Sequence, residues 1–245
     1  MGSDARSPAV LFSKRGVVAE VVLNRPESRN AYDTAMRDGL FEAFGAIRDD
    51  PEVRVVLLFG NGPAFSTGGD LREFGTAPSP VAARAIRWQR DVWGTLWDLP
   101  QLTIAGVHGT VVGGGFEMMM LCDQCVAARG ARFWLPETGL GMIPGVAGTQ
   151  TLPRLVGRSA AFDMILRGRP IDARRAREMG VVQHVVAEPE LRGRSRMLAD
   201  KLGRVRRDLA TPLRRLVQRA WSGTLADGLR AEARALGRST GGLSR

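Results

Sequence analysis

The chain has 245 residues, of which 44% are hydrophobic and 24% charged, and its formal net charge at pH 7 is +10. This composition is typical of a folded globular protein and excludes a disordered or collagen-like chain. The apolar runs are far shorter than the ~18 residues that cross a bilayer, residues 1–16 lack the apolar core of a secretory signal, and there are two cysteines, so we expect a cytoplasmic protein without disulfides.

Short Val- and Leu-rich runs alternate with helical patterns in the first half of the chain. Strands are predicted at residues 17–23, 53–59 and 102–107, and helices at residues 31–48 and 80–99. The strands are bounded by Gly, Pro, Asn or Asp. The first helix repeats apolar residues at Met36, Leu40, Phe44 and Ile47, and Pro100 ends the second. Strands that alternate with helices indicate an α/β core.

The second half of the chain is mostly helical in its pattern. The predicted elements are a helix opened by Gly113 to Gly115 and running through Met120, strands at residues 126–128 and 132–135, and helices after Pro144 interrupted by a strand within residues 181–186. Residues 191–245 hold 14 basic and 4 acidic residues, which accounts for the whole net charge. This basic tail is consistent with a polyanionic ligand or with arginine-rich, solvated helix faces.

Two glycine-rich stretches each follow a predicted strand, residues 64–71 (Ala-Phe-Ser-Thr-Gly-Gly-Asp-Leu) and residues 112–117 (Val-Gly-Gly-Gly-Phe-Glu). Glycines at such junctions let the backbone approach a ligand with free N–H groups. The start of a helix also suits a phosphate or a developing oxyanion. Neither stretch has the spacing of a known nucleotide-binding loop, and tight turns without a ligand are an equally good explanation of each stretch alone.

Two glutamates lie in apolar surroundings. Glu117 is part of the otherwise apolar helix that follows the second glycine stretch, and Glu137 comes directly after Pro136 and the strand at residues 132–135. Two carboxyl groups in such surroundings can divide into a proton donor and a proton acceptor, because burial shifts their pKa values apart. A buried glutamate with satisfied hydrogen bonds is the alternative interpretation of each.

Other chemistries find little support in the sequence. Cys122 and Cys125 form a lone C-x-x-C without the second ligand pair of a structural zinc site, so no metal is expected. No nucleophile elbow occurs. Trp88, Trp93 and Trp97, predicted to share one helix, are interpreted as core or subunit contacts, and no nucleic-acid or membrane partner is expected.

Several short motifs together resemble the enoyl-CoA hydratase/isomerase (crotonase) superfamily. In chain order they are Leu23-Asn24-Arg25-Pro26, Arg29-Asn30-Ala31, residues 64–71, residues 113–117, Cys122-Asp123, Pro136-Glu137, residues 141–145 (Gly-Met-Ile-Pro-Gly) and Gly148-Thr149-Gln150. The resemblance implies a spiral of ββα units with a C-terminal helical trimerisation region. It divides the chain into a core at residues 1–190 and a basic helical region at residues 191–245, and it implies a homotrimer or a dimer of trimers.

The resemblance also implies an acyl-CoA thioester substrate and no cofactor apart from the coenzyme A that the substrate carries. The backbone N–H groups of Gly69 and Gly114 would form an oxyanion hole for the thioester oxygen. Glu117 would take a proton from water, and Glu137 would deliver a proton to the substrate. The coenzyme and acyl-group contacts it implies are made by Arg29, Ala31, Phe65, Ser66, Thr67, Gly68, Asp70 and Trp134.

Because both acidic positions are glutamate, the resemblance favours hydration of a trans-2-enoyl-CoA. A Δ3–Δ2 enoyl-CoA isomerase that uses Glu137 alone is the alternative within the family, and a binding protein whose basic tail engages RNA or an acidic partner is the alternative outside it. Trp134 and Leu135 depart from the smaller or more polar residues usual in the family, which predicts a specialised acyl group. The family's last helix is also shortened, since the sequence ends at residues 241–245, and this predicts altered coenzyme binding or assembly.

Overall fold

The computed structural model describes residues 7–240, apart from the side chains of residues 80, 87 and 238–240. The strands are β1 Val10–Arg15, β2 Val18–Leu23, β3 Val55–Gly60, β4 Leu102–Val107, β5 Thr110–Val112, β6 Gln124–Ala128, β7 Arg132–Trp134, β8 Ile171–Asp172 and β9 His184–Val186. The α-helices are α1 Thr34–Asp49, α2 Pro80–Gln89, α3 Val92–Asp98, α4 Gly114–Met120, α5 Gly148–Val156, α6 Arg158–Arg167, α7 Ala173–Glu178, α8 Leu191–Leu202, α9 Arg207–Arg219 and α10 Leu225–Thr240. Short 3₁₀ helices occur at Pro26–Ser28, Glu137–Leu140 and Glu188–Glu190. No helix within these residues is long and apolar enough to span a membrane.

Six strands form the main sheet in the order β1-β2-β3-β4-β6-β9. β1 and β2 are an antiparallel hairpin, and each later strand lies parallel to its neighbour. A second sheet of three short strands has the order β5-β7-β8, with β5 parallel to β7. The crossovers between parallel strands pass through helices, as parallel pairing requires, and this confirms the α/β class.

Both faces of the sheet are buried at its central strands β2, β3, β4 and β6, which are apolar at nearly every position. Ala19, Leu58 and Ala105 point to the larger core, which also receives α1 and α4. Leu57 and Ile104 point to a smaller core on the opposite face. Leu191 and Ala199 of α8 complete this second core, so the first helix of the basic region packs directly on the sheet.

A buried ion pair holds α9 to the rest of the fold. The Arg214 guanidinium donates to both carboxylate oxygens of Asp123 (2.9 and 2.7 Å) and to the carbonyls of Trp97 (2.9 Å) and Leu99 (2.6 Å). Because the Arg214 side chain is 2% exposed, its charge has no access to bulk water and depends on these partners. α9 is therefore fixed to the C-terminal end of α3 and to the turn after α4.

Most predicted elements are confirmed, but the single helix at residues 80–99 is wrong. The chain breaks at Arg90 (φ −133°), and Asp91 then caps a new helix by accepting a hydrogen bond from the Gly94 N–H (3.0 Å). Trp88 therefore lies on α2, whereas Trp93 lies on α3. The sequence contained part of the signal, since Asp is one of the preferred N-cap residues.

Other differences are smaller and concern the boundaries and shortest strands. The helix predicted at residues 31–48 begins at Thr34, because the Asp33 side chain accepts a hydrogen bond from the Met36 N–H (2.8 Å). The strand within residues 181–186 is confined to His184–Val186, and β1, β5 and β8 were not predicted. The division at residue 190 and the trimerisation role of the C-terminal helices stay predictions, and residues 241–245 lie outside the described part of the chain.

Candidate active site

The loop after β3 is hydrogen-bonded on both sides to neighbouring chain segments. The Ser66 N–H donates to the Thr110 carbonyl at the start of β5 (3.2 Å). On the other side, the Tyr32 N–H donates to the Gly68 carbonyl (2.7 Å), and the Asp70 N–H donates to the Tyr32 carbonyl (2.9 Å). The first glycine stretch is therefore held rigidly beside the second sheet.

Two left-handed glycines let this loop touch the start of α4. Gly68 has φ +82°, and a Cβ there would lie 2.9 Å from the Val112 carbonyl oxygen and 3.0 Å from the Gly114 nitrogen. Gly113 has φ +51°, and a Cβ there would lie 2.8 Å from Oε1 of Glu137. Glycine is required at both positions, because any side chain would meet a strained backbone and an occupied space.

The structure brings the backbone amides of Gly69 and Gly114 close together, as predicted. A Cβ on Gly114 would lie 3.8 Å from the Gly69 nitrogen. Both residues are partly exposed, whereas Gly68 and Gly113 are buried. Within residues 7–240 neither of the two N–H groups donates a backbone hydrogen bond. Two free donors at one accessible place can stabilise negative charge on a ligand oxygen.

Glu117 is anchored by the chain segment that leads into α5. Its Oε1 accepts hydrogen bonds from the N–H groups of Val146 (3.0 Å), Ala147 (2.9 Å) and Gly148 (2.7 Å). The residue is 1% exposed, so these three donors compensate for the loss of water around the carboxyl group. They also fix its orientation and leave Oε2 as the oxygen that can act on a ligand.

Glu137 is the second carboxyl group of the site. Burial raises its pKa from an ordinary value of 4.5 to about 7, the charge of Glu117 adds to the rise, and the backbone N–H of Glu137 opposes it. Within the described residues its Oε2 is buried without a hydrogen-bond partner. A carboxyl group in this state is half protonated near neutral pH and can donate a proton there.

Asp70, predicted as a ligand contact, is used inside the protein. It is 6% exposed, and its carboxylate accepts from Arg72 (2.6 Å) and lies 3.6 Å from the Arg25 guanidinium. The hydrogen bond from Arg72 holds the pKa of Asp70 well below its ordinary value, against the opposing effect of burial. Asp70 thus fixes the loop that carries Gly69.

Other predicted contact residues also have internal roles. The Ser66 hydroxyl donates to the Asn30 carbonyl (2.8 Å), and the Phe65 side chain lies in the larger core. Ala31 is buried. The sequence alone did not reveal these roles, because each depends on contacts between distant segments.

Arg29 and Thr67 lie at the surface of the same loop cluster. Arg29 is exposed at φ +53°, and its carbonyl accepts from the Thr67 N–H (3.2 Å). Trp134 is half-buried at the end of β7, where its carbonyl accepts from the Gly113 N–H (3.1 Å). Trp134 therefore joins β7 to the second glycine stretch through its backbone.

Sequence reasoning missed the Val146–Gly148 segment as a part of the site. Its signal was a glycine on each side of Val146 and Ala147, directly before a helix, which is a usual anion-binding pattern. It also missed Phe74, whose ring packs on Gly69: a Cβ on Gly69 would lie 2.6 Å from the ring. No sequence pattern predicts that contact.

The chain is similar to one known protein family, to individual proteins of bacteria and to solved structures. The family model described as enoyl-CoA hydratase/isomerase matches residues 13–241. A probable enoyl-CoA hydratase of Mycobacterium bovis is 33% identical over 225 residues, which are 92% of this chain and 87% of the relative. The 2,3-dehydroadipyl-CoA hydratase of Escherichia coli is 36% identical over 195 residues, 80% of this chain and 76% of the relative.

Solved structures show the same architecture. A putative enoyl-CoA hydratase from Thermobifida fusca, crystallised in complex with CoA, superimposes with a TM-score of 0.90 at 29% identity, over 97% of this chain and 95% of the other. An enoyl-CoA hydratase from Mycobacterium smegmatis superimposes with a TM-score of 0.89 at 31% identity, over 96% and 91% of the two chains. The predicted crotonase-like fold is confirmed by these similarities.

The contact between the two glycine stretches can be tested through Gly115. A Cβ there would lie 2.6 Å from Cβ and 2.9 Å from the carbonyl oxygen of Ser66, so Gly115→Ala must push the loop away from α4. We expect the free energy of unfolding to fall by about 1–3 kcal/mol, measured by urea denaturation. The control Gly45→Ala meets open space in α1 and should stabilise by about 0.5–1 kcal/mol. Equal effects of the two substitutions would contradict the tight contact.

Proposed function

The chain belongs to the enoyl-CoA hydratase/isomerase family, and from this premise we propose that it is a hydro-lyase that adds water across the C2=C3 bond of a trans-2-enoyl-CoA. One observation carries the proposal: the free amides of Gly69 and Gly114 lie at the start of the helix that carries Glu117, and the neighbouring Gly113 packs against Oε1 of Glu137. The two carboxyl groups differ in their surroundings. Amides of this kind suit the thioester oxygen, and two such carboxyl groups suit the addition of water.

In the proposed reaction, the thioester oxygen accepts hydrogen bonds from the Gly69 and Gly114 N–H groups. When water adds to C3, electrons move from the double bond toward this oxygen and an enolate forms. Each donor to such an oxyanion typically contributes ~3–4 kcal/mol to transition-state stabilisation. The buried backbone around Gly68 and Gly113 keeps both donors in place without rearrangement during the reaction.

The two glutamates would divide the proton transfers. Glu117 takes a proton from the attacking water through Oε2, because Oε1 is held by the three amides before α5. Glu137 gives its proton to C2, which completes the 3-hydroxyacyl-CoA. Its raised pKa supports this role, since an ordinary glutamate would be deprotonated at neutral pH. Glu117 then releases its proton to solvent and Glu137 takes one up, so the net result is the addition of one water molecule. The proposal includes no separate cofactor.

For the coenzyme part of the substrate, we propose contacts with the surface of the loop cluster. The exposed Arg29 is placed to reach phosphate oxygens, which arginine binds well. The N–H groups of residues 65–68 and 70 already donate inside the chain, so contacts from this loop to the adenine would use carbonyl oxygens. We also propose that Ala31 and Trp134 border this surface.

We also propose that the protein assembles as a homotrimer or a dimer of trimers. The supporting observation is an exposed apolar face along α9, at Leu209, Leu213 and Val217, with further exposed leucines on α10. Faces of this size in the last helices favour contact with another copy of the chain. The two cysteines are free, in keeping with the cytoplasmic location predicted from the sequence.

The assembly can be tested by placing charge on this face. The double variant Leu213→Glu with Val217→Glu should reduce the particle to monomers in light scattering, because buried unpaired carboxylates oppose association. Arg215→Glu changes charge on the same helix without removing apolar surface and serves as the control. A monomeric wild-type protein would contradict the proposal.

The role of Glu117 is tested by Glu117→Gln, which keeps an oxygen for the three amides but removes the base. We expect hydration of crotonyl-CoA to fall by about 10²–10⁴-fold, measured as loss of enoyl absorbance and formation of the hydroxyacyl product. Glu190→Gln, on the exposed 3₁₀ helix before α8, is the control. If the variant and the wild type both convert a 3-enoyl-CoA to the 2-enoyl-CoA, and neither of them hydrates crotonyl-CoA, the isomerase alternative replaces the hydratase.

The role of Glu137 as an acid predicts a pH dependence. Because only its protonated form donates, kcat/KM for hydration should fall as the pH rises through about 7, approaching a tenfold loss for each further pH unit. The measurement is the pH profile from pH 5.5 to 9, with Glu190→Gln expected to follow the wild type. A rate that stays level from pH 7 to 9 would show that Glu137 is not the proton donor.

A further inference from the structure

Three of the five tryptophans of the chain line one cavity of about 470 Å³. It lies between α2, α3, the C-terminal end of α4 and the segment before α5. Its apolar lining residues are Trp88, Trp93 and Trp97, together with Leu121 and Val146, and Trp88 is 66% exposed. The volume is within the range of about 300–1,000 Å³ that is usual for small-molecule sites, and it is much larger than a four-carbon acyl group requires.

The cavity shares a wall with the Glu117 side of the candidate active site. Val146 lines the cavity, and its N–H donates to Oε1 of Glu117 (3.0 Å). One residue, Val146, therefore separates a molecule in the cavity from the Glu117 carboxyl group, which we assign as the base.

A second side of the cavity, formed by Trp93, is connected to the loop that carries Gly69. The Trp93 ring packs on the Tyr32 ring, with 4.9 Å between the centroids and 35° between the planes. The backbone of Tyr32 in turn bonds to Gly68 and Asp70, the two residues that flank Gly69. The cavity is thus next to the Glu117 carboxyl group through Val146, and it is connected to the loop that carries Gly69 through Tyr32.

The chemistry of the lining defines what the cavity can hold. Indole rings offer large, flat apolar faces that favour other aromatic rings in offset or edge-to-face packing. Asp91 is the charged group in the lining, and its carboxylate caps α3 at the Gly94 N–H. A negative charge there repels an acyl group that ends in a carboxylate.

On the basis of the proposed hydratase function, we propose that this cavity holds the distal end of the acyl group and that the substrate is an enoyl-CoA whose acyl group ends in an uncharged aromatic ring. Trp97 is the specificity-determining residue that can be changed with the least effect elsewhere. Its side chain is 38% exposed, and its bonds to α9 are made by the backbone carbonyl. Trp93, by contrast, supports Tyr32 and the loop that carries Gly69.

The experiment compares three substrates and two variants. The substrates are crotonyl-CoA, oct-2-enoyl-CoA and 5-phenylpent-2-enoyl-CoA, and the variants are Trp97→Leu and the control Phe162→Leu, an exposed aromatic residue on α6. We expect the wild type and the control to prefer the phenyl substrate over the octenoyl substrate by about tenfold in kcat/KM. Trp97→Leu should remove this preference through KM, whereas Phe162→Leu should leave the rates of all three substrates at the wild-type level.

A binding measurement separates this inference from the proposed reaction. Calorimetry with the unreactive saturated thioesters, 5-phenylpentanoyl-CoA and octanoyl-CoA, should show the same preference and its loss in Trp97→Leu. If the protein hydrates none of the three enoyl substrates, the proposed function is overturned, but an aromatic preference in binding is not. Equal binding of the two saturated thioesters would overturn the inference. A change in the number of copies per particle in Trp97→Leu would overturn it as well, because it would identify the cavity as a subunit contact.

Discussion

The site depends on the three backbone N–H groups before α5 that bind one oxygen of Glu117. A carboxyl group that is 1% exposed on an apolar helix would cost several kcal/mol without such partners. The interaction also joins two parts of the chain that are distant in sequence, since α4 supplies the acid and residues 146–148, which lead into α5, supply the donors. Because Gly114 is the first residue of α4, the same anchor keeps the second free amide in position relative to the base.

The glycines complete this arrangement by letting two loops approach without side chains between them. Gly68 and Gly113 adopt left-handed conformations, and their neighbours Gly69 and Gly114 keep free, partly exposed amides. The hydrogen bonds of Ser66, Tyr32 and Asp70 to adjacent segments hold this geometry before any ligand binds. Electrostatic stabilisation by fixed donors requires such preorganisation. The main sheet and its two cores serve to bring the loops to this place.

The sequence predicts the buried strands and amphipathic α1 well, because their apolar residues repeat at clear periods. It fails for β5 and β8, since strands of three and two residues are too short to show a pattern. For the site, Glu117 and Glu137 were recognisable as carboxyl groups in apolar runs, and the motifs indicated the family. The amides that hold Glu117 lie about 30 residues further along the chain, and such contacts follow from the fold and not from local sequence.

The bonds of Arg214 have a consequence for how α3 and α9 depend on one another. Its guanidinium holds the carbonyls at the end of α3, while the apolar face of the same α9 helix is turned outward. Removal of this one side chain would therefore release both helices at once, and it would leave the Asp123 carboxylate without its counter-charge. The end of α3 thus takes its position from a residue that lies 117 positions further along the chain.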